Sequence, residues 1–170
     1  AAASPRALLR SAAGALRGGL ARERGGKVVL YRADLSRLRD VSDCSVDAVV
    51  SVSALEHNPP DVLPRVVEEL LRVLRPGGRL IATLSAARDR DWFHEPSQGW
   101  CYTEATLRRA FGIGPDVASN YEAFDALFAS LRASRALREG LSWSYARSGR
   151  NGMPWRRWDP KYQPVGVCRM

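Results

Sequence analysis

Two acidic residues follow apolar, strand-like runs in this chain and are candidates to bind a polar ligand. Asp34 comes shortly after residues 27–31, and Glu56 comes shortly after residues 47–52. In open α/β sheets, ligands bind beyond the carboxyl ends of the strands, where carboxylates can accept hydrogen bonds from amino and hydroxyl groups. The spacing therefore predicts a site for a polar ligand at that edge of a sheet.

A histidine stands directly beside the second of these acids and is a candidate general base. Histidine is the side chain whose ordinary pKa lies closest to neutrality, and His57 lies where a strand is predicted to end. Each of the three residues also has a purely structural interpretation. His57 and Glu56 can cap backbone groups of a neighbouring helix, and Asp34 can form a turn.

The elements that position these residues are predicted from hydrophobic periodicity. Residues 27–31, 47–52 and 79–84 are short aliphatic runs typical of strands buried in a parallel sheet. Residues 62–74 carry apolar side chains three and four apart, which predicts an amphipathic helix, and Asp61 can cap it. Together they predict one strand–helix–strand crossover unit.

The ends and outer face of this helix also carry local signals. Pro76 cannot continue a helix, and Gly77 can adopt a left-handed turn, so the chain is predicted to reverse there into the next strand. Glu68 and Arg72 are four residues apart in the favourable order, which predicts an ion pair on the exposed face.

Four segments in this order resemble the later motifs of class I S-adenosylmethionine-dependent methyltransferases. Residues 32–35 (Arg-Ala-Asp-Leu) resemble the family's acidic loop after its third strand, and residues 45–50 resemble the Asp that opens its fourth strand. Residues 53–57 (Ser-Ala-Leu-Glu-His) resemble its Leu-Glu-His segment, and residues 74–78 (Leu-Arg-Pro-Gly-Gly) resemble the turn before its fifth strand. The segments occur in the family's order and are distributed over about a third of the chain.

The resemblance implies a fold, a cofactor and a reaction. The implied fold is an α/β, Rossmann-like methyltransferase sheet, mostly parallel with a C-terminal antiparallel pair. The implied reaction is methyl transfer from S-adenosyl-L-methionine to a small-molecule acceptor, with the carboxylate of Asp34 accepting from the adenine amino group and Leu35 lining the base. The cofactor-binding residues that it implies are Asp34, Leu35, Ser51, Glu56 and His57, with His57 also the candidate catalytic base.

The family's glycine-rich motif has no counterpart in this sequence. Gly14, Gly18 and Gly19 do not form a G-x-G-x-x-G pattern and follow no apolar strand. We therefore expect a sheet that lacks the first strand and the glycine-rich loop, in an N-terminally incomplete methyltransferase. The alternative is a catalytically inactive methyltransferase-like scaffold or an RNA-associated subunit.

The domain organisation follows from these segments. Residues 1–26 are predicted to be a helical segment that covers one sheet face, although their arginines also fit an organelle transit peptide. Residues 27–170 are predicted to be a partial methyltransferase domain. Within it, residues 27–84 form the cofactor-side core, and residues 85–170 form the substrate-side and closing elements.

Several elements are predicted in this second part. Residues 88–101 form an aromatic-rich loop, Thr103 caps a helix that ends near Gly112, and Asn120 caps a longer helix that runs to residue 140. Residues 141–146 and 165–170 form the closing antiparallel pair. The loop at residues 153–158 (Met-Pro-Trp-Arg-Arg-Trp) alternates arginines and tryptophans, which fits either packing or contact with single-stranded nucleic acid.

Composition sets the remaining bounds. The formal net charge is +8, with all but two of the 26 basic residues being arginine, but no block of consecutive basic residues indicates a polyanion partner. The three cysteines are widely separated and form no C-x-x-C pair, so we predict no metal site and a reducing, cytoplasmic location. No apolar run of 18 residues predicts a membrane span.

Overall fold

A computed structural model of the chain describes residues 26–140 and 160–170. The chain divides into two compact units, Ala1–Arg32 and Ala33–Met170, and residues 26–32 are the described part of the first. The predictions for the N-terminal helical segment up to residue 25, the strand at 141–146 and the loop at 153–158 concern residues outside the described ranges.

The described residues form strands, α-helices and short 3₁₀ turns. The strands are β1 (Val46–Val52), β2 (Leu74–Ala86), β3 (Trp92–His94), β4 (Gly99–Tyr102) and β5 (Gln163–Arg169). The α-helices are α1 (Leu63–Val73), α2 (Glu104–Phe111), α3 (Phe124–Ala133) and α4 (Arg135–Gly140). The 3₁₀ turns are Leu55–His57, Glu95–Ser97 and Tyr121–Ala123.

Strand β2 is the centre of the described sheet. It pairs in parallel with β1 and, near its carboxyl end, with β4, and it pairs antiparallel with β5. Strands β3 and β4 form an antiparallel hairpin. The predicted α/β class, with parallel pairs and an antiparallel C-terminal strand, is confirmed.

Helix α1 covers one face of this sheet and supplies much of the core. Its apolar stripe is buried as predicted, with Leu63, Val66 and Val67 at most 1% exposed. The stripe packs with Leu80 of β2 and Phe111 of α2 in one apolar cluster. Burying one such aliphatic side chain contributes about 1.5–3 kcal/mol, which explains why the helix forms where its periodicity predicts.

The predicted strand at residues 27–31 is wrong. These residues belong to no strand in the described sheet, and Val28 and Leu30 are 86% and 91% exposed. Their β-branched and aliphatic side chains suit a pleated surface, but a strand is stable only where a neighbouring strand supplies its backbone hydrogen bonds. In the described part of the chain, no strand pairs with this segment.

Two predicted helix caps do not form. Val62, not Asp61, occupies the N-cap position of α1, and no side chain caps the helix there. Instead, the amide of Leu63 donates to the carbonyl of Pro59 (2.9 Å) in a backbone turn. The side chain of Asn120 likewise makes no cap, and the helix predicted up to residue 140 is interrupted at Ser134. By contrast, Thr103 caps α2 and Gly112 ends it in a left-handed conformation, as predicted.

The predicted aromatic loop at 88–101 is more ordered than its sequence suggests, because it contains the β3–β4 hairpin. The hairpin was missed because its strands have only three and four residues, too few for an alternating pattern to be recognised. Among the helices in the described ranges, none combines the length and the apolar character needed to cross a membrane.

Gly78 is the position where the turn between α1 and the rest of β2 has least room. A Cβ at Gly78 would lie 2.9 Å from the carbonyl oxygen of Arg75 and 3.0 Å from that of Asp47. We predict that Gly78→Ala lowers the free energy of unfolding by about 1–3 kcal/mol, because backbone atoms must move to accommodate the methyl group. Urea unfolding would measure the loss. Gly166→Ala in β5, where no atom lies within 4 Å, is the matched control, and equal losses would contradict the interpretation.

Candidate functional site

The turn after β1 lies at the carboxyl end of the parallel strands. Ser53 leaves the strand with a positive φ of 47°, and its amide donates to Thr83 of β2, both to the carbonyl and to the hydroxyl (3.2 Å each). This sharp departure leads directly into the 3₁₀ turn Leu55–His57. The predicted ligand-binding segment is therefore fixed to the end of the sheet.

Three hydrogen bonds from two side chains hold this turn in place. Tyr102 of β4 donates its buried hydroxyl to the carbonyls of Leu55 (3.1 Å) and Asn58 (2.5 Å). Asn58 also donates its side-chain amide to Leu55 (3.0 Å). Burial, and secondarily the negative charge of Glu56, raises the pKa of Tyr102, so this hydroxyl remains a neutral donor.

Glu56 is a buried carboxylate without full hydrogen bonding. Its side chain packs beneath the β3–β4 hairpin, where a Cβ at Gly99 would lie 3.1 Å from the Cγ of Glu56. Burial raises the pKa of Glu56. Its own backbone amide, the charge of His57 and the side chain of Ser53 lower the pKa, but only enough to offset part of that shift. Oε2 is buried and has no hydrogen-bond partner among the residues that the structure describes. A carboxylate in this state can accept from a ligand.

A second buried oxygen without a partner belongs to Ser51. Its hydroxyl is buried in β1, two residues before the strand turns away, and no group in the described part of the chain donates to it or accepts from it. Because buried polar atoms are rarely left unpaired, two such atoms on the same strand–turn segment indicate a place where a bound molecule supplies the partners.

His57 has a hydrogen bond that fixes its ring. Its Nδ1 lies 2.7 Å from the carbonyl oxygen of Gln98 in the β3–β4 hairpin. A carbonyl only accepts, so Nδ1 carries the proton and the neutral ring keeps its lone pair on Nε2. The ring is exposed at this edge of the sheet. This tautomer is the one that can take up a proton at Nε2.

Cys101 lies near Glu56, and its thiol is unreactive. It is completely buried, and burial, followed by the charge of Glu56, raises the pKa of its thiol to about 12. The other two cysteines, Cys44 and Cys168, are exposed and unpaired by disulfides.

Asp34 and Leu35 occupy a separate, exposed loop. Asp34 accepts from the amide of Ser36 (2.8 Å), and this contact, followed by the Ser36 hydroxyl, lowers the pKa of its carboxyl. Asp34 thus forms the turn that was its structural alternative. Leu35 is 39% exposed, so its side chain is accessible to a planar ligand.

The loop that carries Asp34 is held against helix α1 by a dense hydrogen-bond network, here called the loop clamp and formed by Glu69 and Arg72. Arg72 donates to the carbonyls of Leu38 (3.1 Å) and Val41 (3.2 Å), and Glu69 accepts from the amide of Leu38 (2.6 Å). Arg72 also forms ion pairs with Glu69 and with Asp43. The Arg72 guanidinium and then the Leu38 amide lower the pKa of Glu69 to about 2.

The structure brings Ser51, Glu56 and His57 together on one strand–turn segment. Asp34 and Leu35 lie on the clamped loop, and no hydrogen bond among the described residues connects them with Glu56 or His57. The predicted ion pair between Glu68 and Arg72 is wrong, because Arg72 faces Glu69 and the loop instead.

Several residues that shape the site carry no motif that identifies them from sequence. Arg72 and Glu69 have a helical spacing that indicates an ordinary surface pair, and their partners are 29 to 34 residues away. The same holds for Tyr102 and Gly99, which meet the turn across more than 40 residues of chain. The local sequence there offers one glycine and two aromatic residues in residues 99–102, which do not indicate these contacts.

A comparison with protein-family models matches residues 7–82 to a family described as a methyltransferase domain. The match confirms the predicted methyltransferase resemblance for that part of the chain. No curated protein matches this chain.

Two solved structures are similar to part of this chain. The first is 1,6-didemethyltoxoflavin-N1-methyltransferase from Burkholderia thailandensis, bound to 1,6-didemethyltoxoflavin and S-adenosylhomocysteine; it is 21% identical with a TM-score of 0.43, over 56% of this chain and 43% of its own. The second is the [4+2]-cyclase SpnF, 23% identical with a TM-score of 0.43, over 64% of this chain and 39% of its own. The chain spans less than half of the length of either protein.

The loop clamp gives a testable expectation about local stability. We predict that Arg72→Gln raises the rate of amide hydrogen exchange at Leu38 and Cys44 by about tenfold or more, because the loop loses its anchor on α1 while the helix core stays packed. Exchange monitored by mass spectrometry or NMR would measure this. Glu68→Gln, at an exposed position of the same helix outside the clamp, is the control, and equal effects of the two variants would contradict the clamp.

The buried carboxylate gives an expectation about pH. Because the pKa of Glu56 is raised above its ordinary value of 4.5, its contribution to stability is fully present below that value and is lost as pH rises through the folded-state pKa. We predict that Glu56→Gln stabilises the protein at pH 8 relative to the wild type and that the difference shrinks toward pH 4.

Urea unfolding at several pH values would measure this difference. Glu122→Gln, which replaces an exposed glutamate, is the control and is expected to show no such trend. A Glu56→Gln difference that does not change with pH would show that the carboxyl is not desolvated.

Proposed function

We propose that this protein, whose residues 7–82 match the methyltransferase-domain family, transfers a methyl group from S-adenosyl-L-methionine to a small-molecule acceptor. The observation that carries the proposal is the buried Glu56 carboxylate with an unpartnered oxygen at the carboxyl end of β1. Ligands of open α/β sheets bind at this edge.

The acceptor groups at this edge fit the cofactor's chemistry. S-adenosyl-L-methionine carries positive charge on its sulfonium and its ammonium group, and a desolvated carboxylate is the protein group that such charge complements best. Among the described residues, Oε2 of Glu56 and Oγ of Ser51 are buried acceptors without partners. When bound, the cofactor supplies an electrophilic methyl group.

The exposed loop supplies the second part of the proposed cofactor site. Asp34 is the proposed acceptor for the adenine amino group, and Leu35 is proposed to contact the face of the base. The loop clamp supports this assignment, because a loop that is ordered before binding loses less entropy when the ligand arrives.

His57 is the proposed general base for the acceptor's proton. Its Nδ1 proton is held by the Gln98 carbonyl, which leaves Nε2 to accept a proton at the exposed edge of the site. In methyl transfer the other main task of the protein is to orient the reactants, so few other residues need take part in proton transfer.

The cofactor assignment has a direct binding test. We predict that S-adenosylhomocysteine binds the protein and that Asp34→Ala raises its Kd by about tenfold or more, because a hydrogen bond to a charged group contributes about 1.5–3 kcal/mol. Isothermal titration calorimetry would measure both. Asp61→Ala, an exposed aspartate that caps no helix, is the matched control.

The two possible failures of this test have different meanings. Absence of binding to the wild-type protein would overturn the proposed activity and favour the inactive scaffold. Binding that Asp34→Ala leaves unchanged would overturn only the role of Asp34.

The proposed base has a spectroscopic test that needs no acceptor. We predict that neutral His57 is the Nδ1–H tautomer, because the Gln98 carbonyl cannot donate to it. Long-range ¹H–¹⁵N correlation spectra distinguish the two tautomers, and the His57→Gln variant assigns the signals, since His94 is the other histidine of the chain. An Nε2–H tautomer would rule out the base role at that atom.

A further inference from the structure

An open recess of about 410 Å³ lies directly beyond the carboxyl end of β2. The end of β2 and the residues that follow it form one wall, from Ala86 to Arg90, and Trp92 of β3 and two phenylalanines of α3 line the rest. Its volume falls in the range of small-molecule sites, and its position is the edge where open α/β sheets bind ligands.

The recess adjoins the Glu56 cluster. In the β2–β4 pairing, Ser85 lies opposite Cys101, whose thiol is close enough to Glu56 for the carboxylate's charge to raise its pKa. The recess begins with the next residue of β2, Ala86. A molecule bound there would therefore lie beside the proposed cofactor edge.

The walls of the recess are held in place by hydrogen bonds that do not involve a ligand. The amide of Ala87 donates to Tyr102 (2.8 Å). Asp91 accepts from the amide of Thr103 (2.6 Å) and from the hydroxyl of Thr106 (2.7 Å), which ties the loop after β2 to the start of α2. A site whose walls are fixed in advance binds with a smaller loss of entropy.

Aromatic side chains give the recess a planar, apolar lining. Phe124 is buried, Trp92 and Phe128 are half-buried, and the rings of Phe124 and Phe128 lie 6.0 Å apart. Phe124 is also 5.9 Å from Tyr121, whose hydroxyl donates to the carbonyl of Tyr102 (3.0 Å). Such a lining favours a planar ring, because ring faces and edges pack at these separations.

Charge in the recess favours an anion. Arg88, Arg90 and Lys161 line it with one acid, Asp89. Arg88 is paired with Asp89 and with Asp125 of α3, whereas Arg90 makes no ion pair or hydrogen bond with the residues that the structure describes. An arginine fork matches the two oxygens of a carboxylate.

We propose that this recess binds the methyl acceptor and that the acceptor is a small planar aromatic molecule with a carboxylate or similar anionic group. That the bound molecule is the methyl acceptor rests on the proposed function, whereas the preference of the recess for an aromatic anion follows from its lining residues. The aromatic ring lies against Trp92 and Phe128, and the anionic group faces Arg90.

Calorimetric titration with 4-hydroxybenzoate and with its neutral analogue 4-hydroxybenzyl alcohol tests the proposal. We expect the acid to bind at least about tenfold more tightly than the alcohol. Arg90→Gln is expected to raise the Kd of the acid by about five- to tenfold and to change that of the alcohol less than about twofold. Phe128→Ala is expected to weaken both, and Arg79→Gln, at an exposed position elsewhere on β2, to change neither.

The outcomes separate this proposal from the proposed function. Equal affinity for acid and alcohol, or an Arg90→Gln variant that binds the acid as the wild type does, would overturn the anion preference. Failure of both compounds to bind at millimolar concentration would overturn the site. Titration of S-adenosylhomocysteine into the same samples tests the cofactor site separately. If S-adenosylhomocysteine does not bind, the methyltransferase proposal is overturned, while the result for the recess is unaffected.

Discussion

Pairing with β2 is the constraint on which the rest of the described structure depends. Its 13 residues form the backbone hydrogen bonds to β1, β4 and β5. Strand β5 pairs with residues 80–86 along one edge of β2, so β1 and β4 pair along its opposite edge. Because β1 and β2 run in parallel with α1 as their crossover, both strands end at the same edge of the sheet. The turn with Glu56 and the recess after Ala86 are consequently neighbours.

That edge is kept at a cost in stability. Ser51 and Glu56 each bury an oxygen that has no partner within the described ranges, and a buried polar group without a hydrogen bond costs about 1–3 kcal/mol. The apolar packing of α1 on β2 offsets this cost without depending on the site. A protein whose core is complete on one sheet face can keep strained or unsatisfied groups at the strand ends, where binding needs them.

Much of the crossover unit could be predicted from sequence because its signals are local. The stripe of α1, the aliphatic run of β1 and the Thr103–Gly112 bounds of α2 each depend on neighbouring residues. What could not be predicted depends on distant partners. Arg72 was assigned to Glu68 by spacing, yet it binds a loop 31 to 34 residues away, and residues 27–31 have strand composition but no strand beside them. The β3–β4 hairpin was missed because its strands are too short for periodicity to show.

One of the three cysteines is buried and two are exposed, so thiol reagents can label two defined positions of the natural protein. Cys101 is shielded and holds its proton to high pH, so maleimide and iodoacetamide reagents, which attack thiolates, will leave it unmodified in the folded state. Cys44, at the end of the clamped loop, and Cys168, on β5, are exposed to the same reagents. A donor and an acceptor dye attached to these two natural thiols would form a distance gauge between loop and sheet, without any engineered cysteine.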